Sequence, residues 1–257
     1  MTISVPNPEA VRALRPELQA TQRRFFVGMA AVLLAIVLLG FSPTFYLRAY
    51  LATPDLPQGV GALPVYLNLH GVILTAWFLL FFAQTALVAS HRVDIHRRLG
   101  VATAVLAAAV VVIAMLVIVR AVPRSPANGI PAFALPLVVI GDIAGLIQFS
   151  LLVAGGILFR RRPDTHKRLM LLASVSIVGP AIARLPWPDA FRPFAPALGL
   201  LVLLAAVIGH DLFKNGRVHR ATIWGELLIL LTTLAGVGVG FSDFGTALVH
   251  SLSREAP

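Results

Sequence analysis

The chain is 257 residues long, 58% hydrophobic and only 12% charged, against about 25% charged in an ordinary soluble domain, which excludes a soluble globular protein. It has no cysteine, and this excludes disulfides, thiolate metal sites, iron–sulfur clusters and c-type haem attachment. The net charge of +10 is not a nucleic-acid signature, because the basic residues sit in short connections between apolar runs, where they set membrane topology.

Residues 1–24 are polar or mixed and include Glu9 and Glu17, unlike a cleavable secretory signal. They predict a cytoplasmic surface helix or tail with a weak apolar side at Val11, Leu14 and Leu18. Seven apolar segments follow, at 25–47, 64–90, 97–121, 131–158, 167–186, 194–212 and 220–241. Each is long enough, or nearly so, to cross about 30 Å of hydrocarbon. The fifth is short and contains Gly179 and Pro180, which predict a kink. The expectation is an all-α polytopic membrane bundle of seven transmembrane helices in one domain, 25–241, with a tail at 242–257.

Charge alternates along the connections. Arg12, Arg15, Arg23 and Arg24 precede the first span; Arg92, Arg97 and Arg98 join spans two and three. Arg160, Arg161, Arg162, Lys167 and Arg168 join four and five, and Lys214, Arg217 and Arg220 join six and seven. By the positive-inside rule the N-terminus is cytoplasmic and the C-terminus outside. The opposite connections are rich in proline (Pro54, Pro57, Pro64; Pro123, Pro126, Pro131; Pro186, Pro188, Pro193) and predict ordered extended loops. The basic turns HRVDIHRRLG, RRRPDTHKRLM and HDLFKNGRVHRAT each carry a histidine at the start of the returning helix: His96, His166 and His219. They suggest three parallel hairpin repeats, 64–121, 131–186 and 194–241, behind one leading helix.

Within the second span His70, Trp77, Gln84 and His91 follow one another at intervals of seven residues, a nearly vertical stripe on a helix. Such a stripe in an apolar helix faces a protein interior or a water-filled path. His91, His96, His166, His210 and His219 fall near the cytoplasmic boundary, three of them at helix starts, where the helix dipole favours the neutral, metal-ligating ring. His91, His96, His166 and His219 are therefore candidate metal ligands, with Asp94, Asp164 and Asp211 as acceptors that orient them. The plainer alternative is helix capping by Asp94, Asp164 and Thr165 and interfacial placement of the rings.

Asp142 and Gln148 in the fourth span and Glu226 in the seventh are intramembrane polar residues. Carboxylates there cost several kcal/mol unless paired or hydrated, and the partners expected for Asp142 are His70, Arg120 or Arg184. Trp77 alone reads as core packing, Trp187 and Trp224 as interfacial belt residues.

The series His70, Gln84, His96-Arg-Arg-Leu-Gly100, then His166-Lys-Arg-Leu-Met170 and Arg184 resembles a broad group of uncharacterised bacterial multi-pass membrane proteins. The helix starts are more loosely similar to small oxidase-assembly membrane proteins linked to haem and copper handling, from which this chain departs in having seven spans. The resemblance covers spans two to five and implies a cofactor set of His70, Gln84, His96, His166 and Arg184, without supplying a reaction.

The leading expectation is an inner-membrane protein of bacterial type that binds haem b or a transition metal in redox or oxidase-assembly work. Its partners would be lipid, quinone or respiratory-chain components, and glycine- and alanine-rich faces such as Ala107–Ala109 and Gly236–Gly240 leave room for a homo-oligomer. The alternatives are a transporter of a small solute, ion or proton built on the span-two stripe and Asp142, a histidine-metal membrane hydrolase, and a structural subunit.

Overall fold

The structure, a computed structural model, describes residues 8–50, 63–121 and 134–254, with the side chains of 8–19 outside that description. All the described elements are helical: α1 (Pro8–Gly40), a π-turn (Ser42–Tyr46), α2 (Val65–Ala89), α3 (Val93–Ala121), α4 (Leu135–Leu158), α5 (Pro163–Ser176), α6 (Gly179–Ala183), α7 (Ala195–Asn215), α8 (Arg220–Gly240) and α9 (Asp243–Arg254). The prolines expected at 54, 57, 123, 126 and 131, and the side chains of Arg12, Arg15, Val11, Leu14 and Leu18, lie outside the described residues.

Among the described residues six helices are long and apolar enough to cross a membrane: Ala20–Gly40, Val65–Ala89, Val93–Arg120, Leu135–Leu158, Ala195–Lys214 and Arg220–Gly240. Their outer faces are as apolar as their inner ones, with Val72, Leu79, Val105, Val112, Leu201 and Leu234 all exposed, as suits helices solvated by lipid. This is the architecture of a multi-pass membrane protein. α1 runs unbroken through the boundary expected at 24–25, so surface helix and first span are a single element.

The fifth segment differs from a single kinked span. It is divided into α5 and α6 at Ile177–Val178, because Pro180 has no N–H to give to a continuing helix. It is also the centre of the bundle. Leu171, Leu172, Ala173, Ser174, Val175 and Val178 are completely buried, enclosed by α1, α4, α7 and α8. A helix shielded from lipid on every side has no need of a continuous apolar surface, and this one carries His166, Lys167, Arg168, Ser174 and Ser176. Gly40 at the end of α1 lies against the carbonyl of Ala181, where any Cβ would collide with the backbone of α6.

Trp77 of α2, fully buried, turns its ring edge to Phe149 of α4 and donates from Nε1 to Ser174 Oγ of α5 at 3.2 Å. Gln148 ties α4 to α8 by donating to Thr232 Oγ1 at 2.7 Å and Thr233 Oγ1 at 3.1 Å; this intramembrane polar residue joins helices. After α1 the π-turn brings the Tyr46 hydroxyl to Thr75 Oγ1 of α2 at 2.6 Å. The C-terminal segment, expected as a tail, includes α9, which folds back with Val249 buried beside Ile118, Val139 and Leu146.

The Trp77–Ser174 bond makes a prediction. In a double-mutant cycle with Trp77→Phe and Ser174→Ala, unfolding in detergent should show a coupling of about 1 kcal/mol; additive losses would mean that the bond contributes nothing.

Candidate functional site

The turns α2–α3, α4–α5 and α7–α8 meet at one end of the bundle, the basic end. Two polar constellations form there. In the first, the rings of His96, in the opening turn of α3, and His166, in the opening turn of α5, lie with centroids 6.2 Å apart and planes at 73°. His166 Nδ1 sits 2.8 Å from the carbonyl oxygen of Gly156. A carbonyl only accepts, so Nδ1 carries the proton and Nε2 keeps a lone pair. Met170 packs against Gly156, one turn on from His166. His96 is held from α2: buried Gln84 donates from Nε2 to the His96 carbonyl at 3.3 Å and to Thr103 Oγ1 at 2.9 Å. Gln84 Oε1 and His96 Nδ1 are both buried without a hydrogen-bond partner.

The second constellation is a buried ion pair. Arg168 and Asp211 are each 1% exposed. The guanidinium of Arg168 donates through Nε at 3.1 Å and through Nη2 to Asp211 Oδ1, and from Nη1 to the Asp164 carbonyl at 2.8 Å. Asp211 Oδ2 accepts from Thr222 Oγ1 at 2.6 Å and from the backbone N–H of His219 at 3.1 Å. α5, α7 and α8 are thereby joined at one carboxylate. His219 caps α8, its Nδ1 accepting from the Ala221 N–H at 3.0 Å, so that nitrogen is unprotonated. Lys167 donates to Asp164 at 2.5 Å.

The four histidines expected to share a metal do not form one site. Among the described residues no group of three or more His, Asp or Glu side chains is placed to hold a metal ion. His91 leaves the span-two stripe because α2 ends at Ala89: it stands exposed in the turn with φ 62°, a left-handed position of the kind that ends helices. His219 is a cap. His210 stacks on Phe25 with centroids 3.8 Å apart, beside a groove of about 310 Å³ between α1 and α7 lined also by Phe213 and Lys214. Asp94 is exposed in the first turn of α3.

The cofactor set also divides. Gln84 lies fourteen residues beyond His70 on α2, about 21 Å along the axis. His70 therefore belongs to the opposite end, with Asp142 of α4 and Arg184 after α6. Arg184 is the cation that acts electrostatically on both Asp142 and His70. It donates to the Pro180 carbonyl at 2.8 Å and lies over the Phe41 ring at 5.0 Å. Asp142 and Arg184 are exposed, and His70 is half-buried with Nδ1 unpartnered.

No protein-family model, curated protein or solved structure matches this chain.

The sequence reading missed the Arg168–Asp211 pair. It counted Arg168 as a topology charge and Asp211 as a histidine partner, although Arg168 and Asp211 sit near helix ends that the α4–α5 and α7–α8 turns bring together. Removing one member should be costly: Arg168→Met is expected to destabilise by about 3–5 kcal/mol by leaving a buried carboxylate unpaired. Arg168→Met with Asp211→Asn should recover part of that loss, as read by unfolding in detergent.

Burial, then the neighbouring Arg168 charge, lower the His219 pKa from the ordinary 6.5. The unfolded chain therefore takes up this proton first as pH falls. The stability His219 contributes is complete above about 6.5 and is lost as pH drops through the lower folded value. The melting temperature should fall on acidification, and more shallowly in His219→Asn, which keeps a capping acceptor.

Proposed function

We propose that this chain is a multi-pass protein of a bacterial-type inner membrane that holds haem b or a transition metal at His96 and His166, in redox or oxidase-assembly work. In this reading α5 and α6 together make the seventh crossing, since residues 163–183 at 1.5 Å per residue cover roughly 30 Å. The N-terminus is cytoplasmic and the C-terminus outside, from the concentration of Arg and Lys at the basic end.

The observation that carries the proposal is the paired rings. The two ring centroids are 6.2 Å apart, close enough for both imidazoles to hold one bound group. The carbonyl of Gly156 orients His166 as such ligands are oriented, leaving Nε2 free. The buried, unpartnered Nδ1 of His96 and Oε1 of Gln84 are polar atoms that a bound group would satisfy. His96 and His166 would hold a group that needs two protein ligands, as a haem does, more readily than a structural zinc, which needs four. A bound haem or metal would supply one-electron or Lewis-acid chemistry. The chain's part is to hold the rings: α2 anchors α3 through Gln84, and α4 fixes His166 through Gly156. The similarity of the helix starts to oxidase-assembly proteins, and a quinone or respiratory-chain partner, are consistent with this reading.

A second reading, transport of a small solute, ion or proton, is favoured by one observation at the other end. Exposed Asp142 and Arg184 on membrane-crossing segments suit a water-filled path, and the α5–α6 break lies between them and the basic end.

The test is the absorption spectrum of purified protein, oxidised and dithionite-reduced, with elemental analysis. A stoichiometric Soret band or metal content is expected, lost in His96→Ala and in His166→Ala. A colourless, metal-free protein, or a cofactor retained by the double variant, overturns the proposal. Flux into proteoliposomes that Asp142→Asn abolishes would establish the second reading instead.

A further inference from the structure

We propose that Glu226 is a proton-binding site: a carboxylic acid that keeps its proton in the resting bundle and exchanges it with the basic end along Thr222 and Asp211. The proposal is independent of any bound cofactor.

Glu226 lies six residues into α8, about 9 Å beyond Arg220 along the axis. It is 4% exposed, and its Oε1 is buried with no hydrogen-bond partner. An ionised carboxylate in that state is among the most costly groups a membrane helix can carry. The cation that would neutralise it is engaged. Arg168 turns Nε and Nη2 to Asp211 and Nη1 to Asp164, so it already serves one buried carboxylate. The ionised neighbour that acts on Glu226 is Asp211, a like charge. Two carboxyl groups and one guanidinium in a buried cluster are neutral overall only when one carboxyl keeps its proton, and the unpartnered one is Glu226.

The other titratable groups on the elements packed against α8 at this end are Asp164, His166 and Lys167 of α5 and His210 and Lys214 of α7, with His219 at the α8 cap. Asp164 and Lys167 pair with each other. The route outward begins at Thr222, which is hydrogen-bonded onward to Asp211 and not to Glu226 Oε1. Thr222, one turn from Glu226 and fully buried, donates to Asp211 Oδ2, which also accepts from the His219 N–H beside the half-buried His219 ring. A metal cation in place of the proton would need several oxygen ligands, and those of Asp211 are taken.

The step is a reversible ionisation: the O–H bond of Glu226 breaks, the electron pair stays on the carboxylate, and the proton passes to water at the basic end. The measurement is infrared spectroscopy of the full chain near neutral pH, in H2O and after transfer to D2O. A protonated-carboxyl C=O band that shifts in D2O is expected. It should be lost in Glu226→Gln, kept in Asp142→Asn, and slower to shift in Thr222→Val. Glu226→Gln mimics the neutral acid and should keep the wild-type melting temperature. A band unchanged in Glu226→Gln, or a marked loss of stability in that variant, overturns the protonated state. A band that does not shift in D2O, or shifts equally fast in Thr222→Val, overturns the exchange route. If Thr222→Val does not fold, the wild-type and Glu226→Gln spectra still decide protonation and exchange.

Discussion

Arg168 and Asp211 meet where water is nearly absent, and much of the basic end depends on that meeting. Neither charge is tolerable alone in such a place. Together, with Thr222, the His219 N–H and the Asp164 carbonyl, they satisfy almost every donor and lone pair they bring. The geometry requires the start of α5, the end of α7 and the start of α8 to arrive at one point. That convergence places α5 on the bundle axis, and α5 in turn carries His166 toward His96 and Ser174 toward Trp77. Buried ion pairs are weak contributors to net stability but strong selectors of arrangement, because most misregistered packings leave a bare charge inside.

The same constraint explains the fifth segment. A helix facing lipid must be apolar on its outer side and unbroken in its hydrogen bonding. The middle of α5 faces protein on all sides, so polar and small residues are tolerated there, and the break falls at its end, beside exposed Pro180. The Ser176 hydroxyl returns to the Ala173 carbonyl at 2.8 Å, meeting one acceptor near the break. Gly40 lets α1 come up against α6 where the chain resumes. The polar chemistry of the molecule gathers around this shielded element: paired histidines and the ion pair at its start, Asp142 and Arg184 near its far end.

The two ends are chemically distinct. At the basic end a ring of exposed arginines surrounds buried, bonded groups, and His96 Nδ1, Gln84 Oε1, His210 Nε2 and Glu226 Oε1 are the buried atoms there without a partner. At the opposite end the charged groups are exposed, and Phe41 covers one face of the Arg184 guanidinium. A coupling between a buried redox or cofactor site and a buried acid at one end would be short, since His166, Arg168 and Thr222 are linked through α5 and Asp211.

What the sequence determined by itself was what depends on composition and local period. Six of the apolar runs are membrane-length helices, five of them within about four residues of their expected bounds and the first shifted to Ala20–Gly40, because twenty apolar residues have few other stable forms in lipid. The common depth of His96 and His166, and the placing of Asp142, His70 and Arg184 toward the opposite end, were also legible, since distance along a helix measures depth. Azimuth and neighbour choice were not. The seven-residue stripe had no way to show that α2 stops before His91, and four histidines at one depth proved to point to different places. The ion pair was hidden because each member had a simpler local explanation, topology for Arg168 and a neighbouring ring for Asp211. α9 was missed because a short amphipathic helix becomes distinguishable from a tail only when α4 and α8 offer it a surface. Only the tertiary structure decided which polar groups meet, because burial and partnership belong to the packing of several helices and not to any one of them.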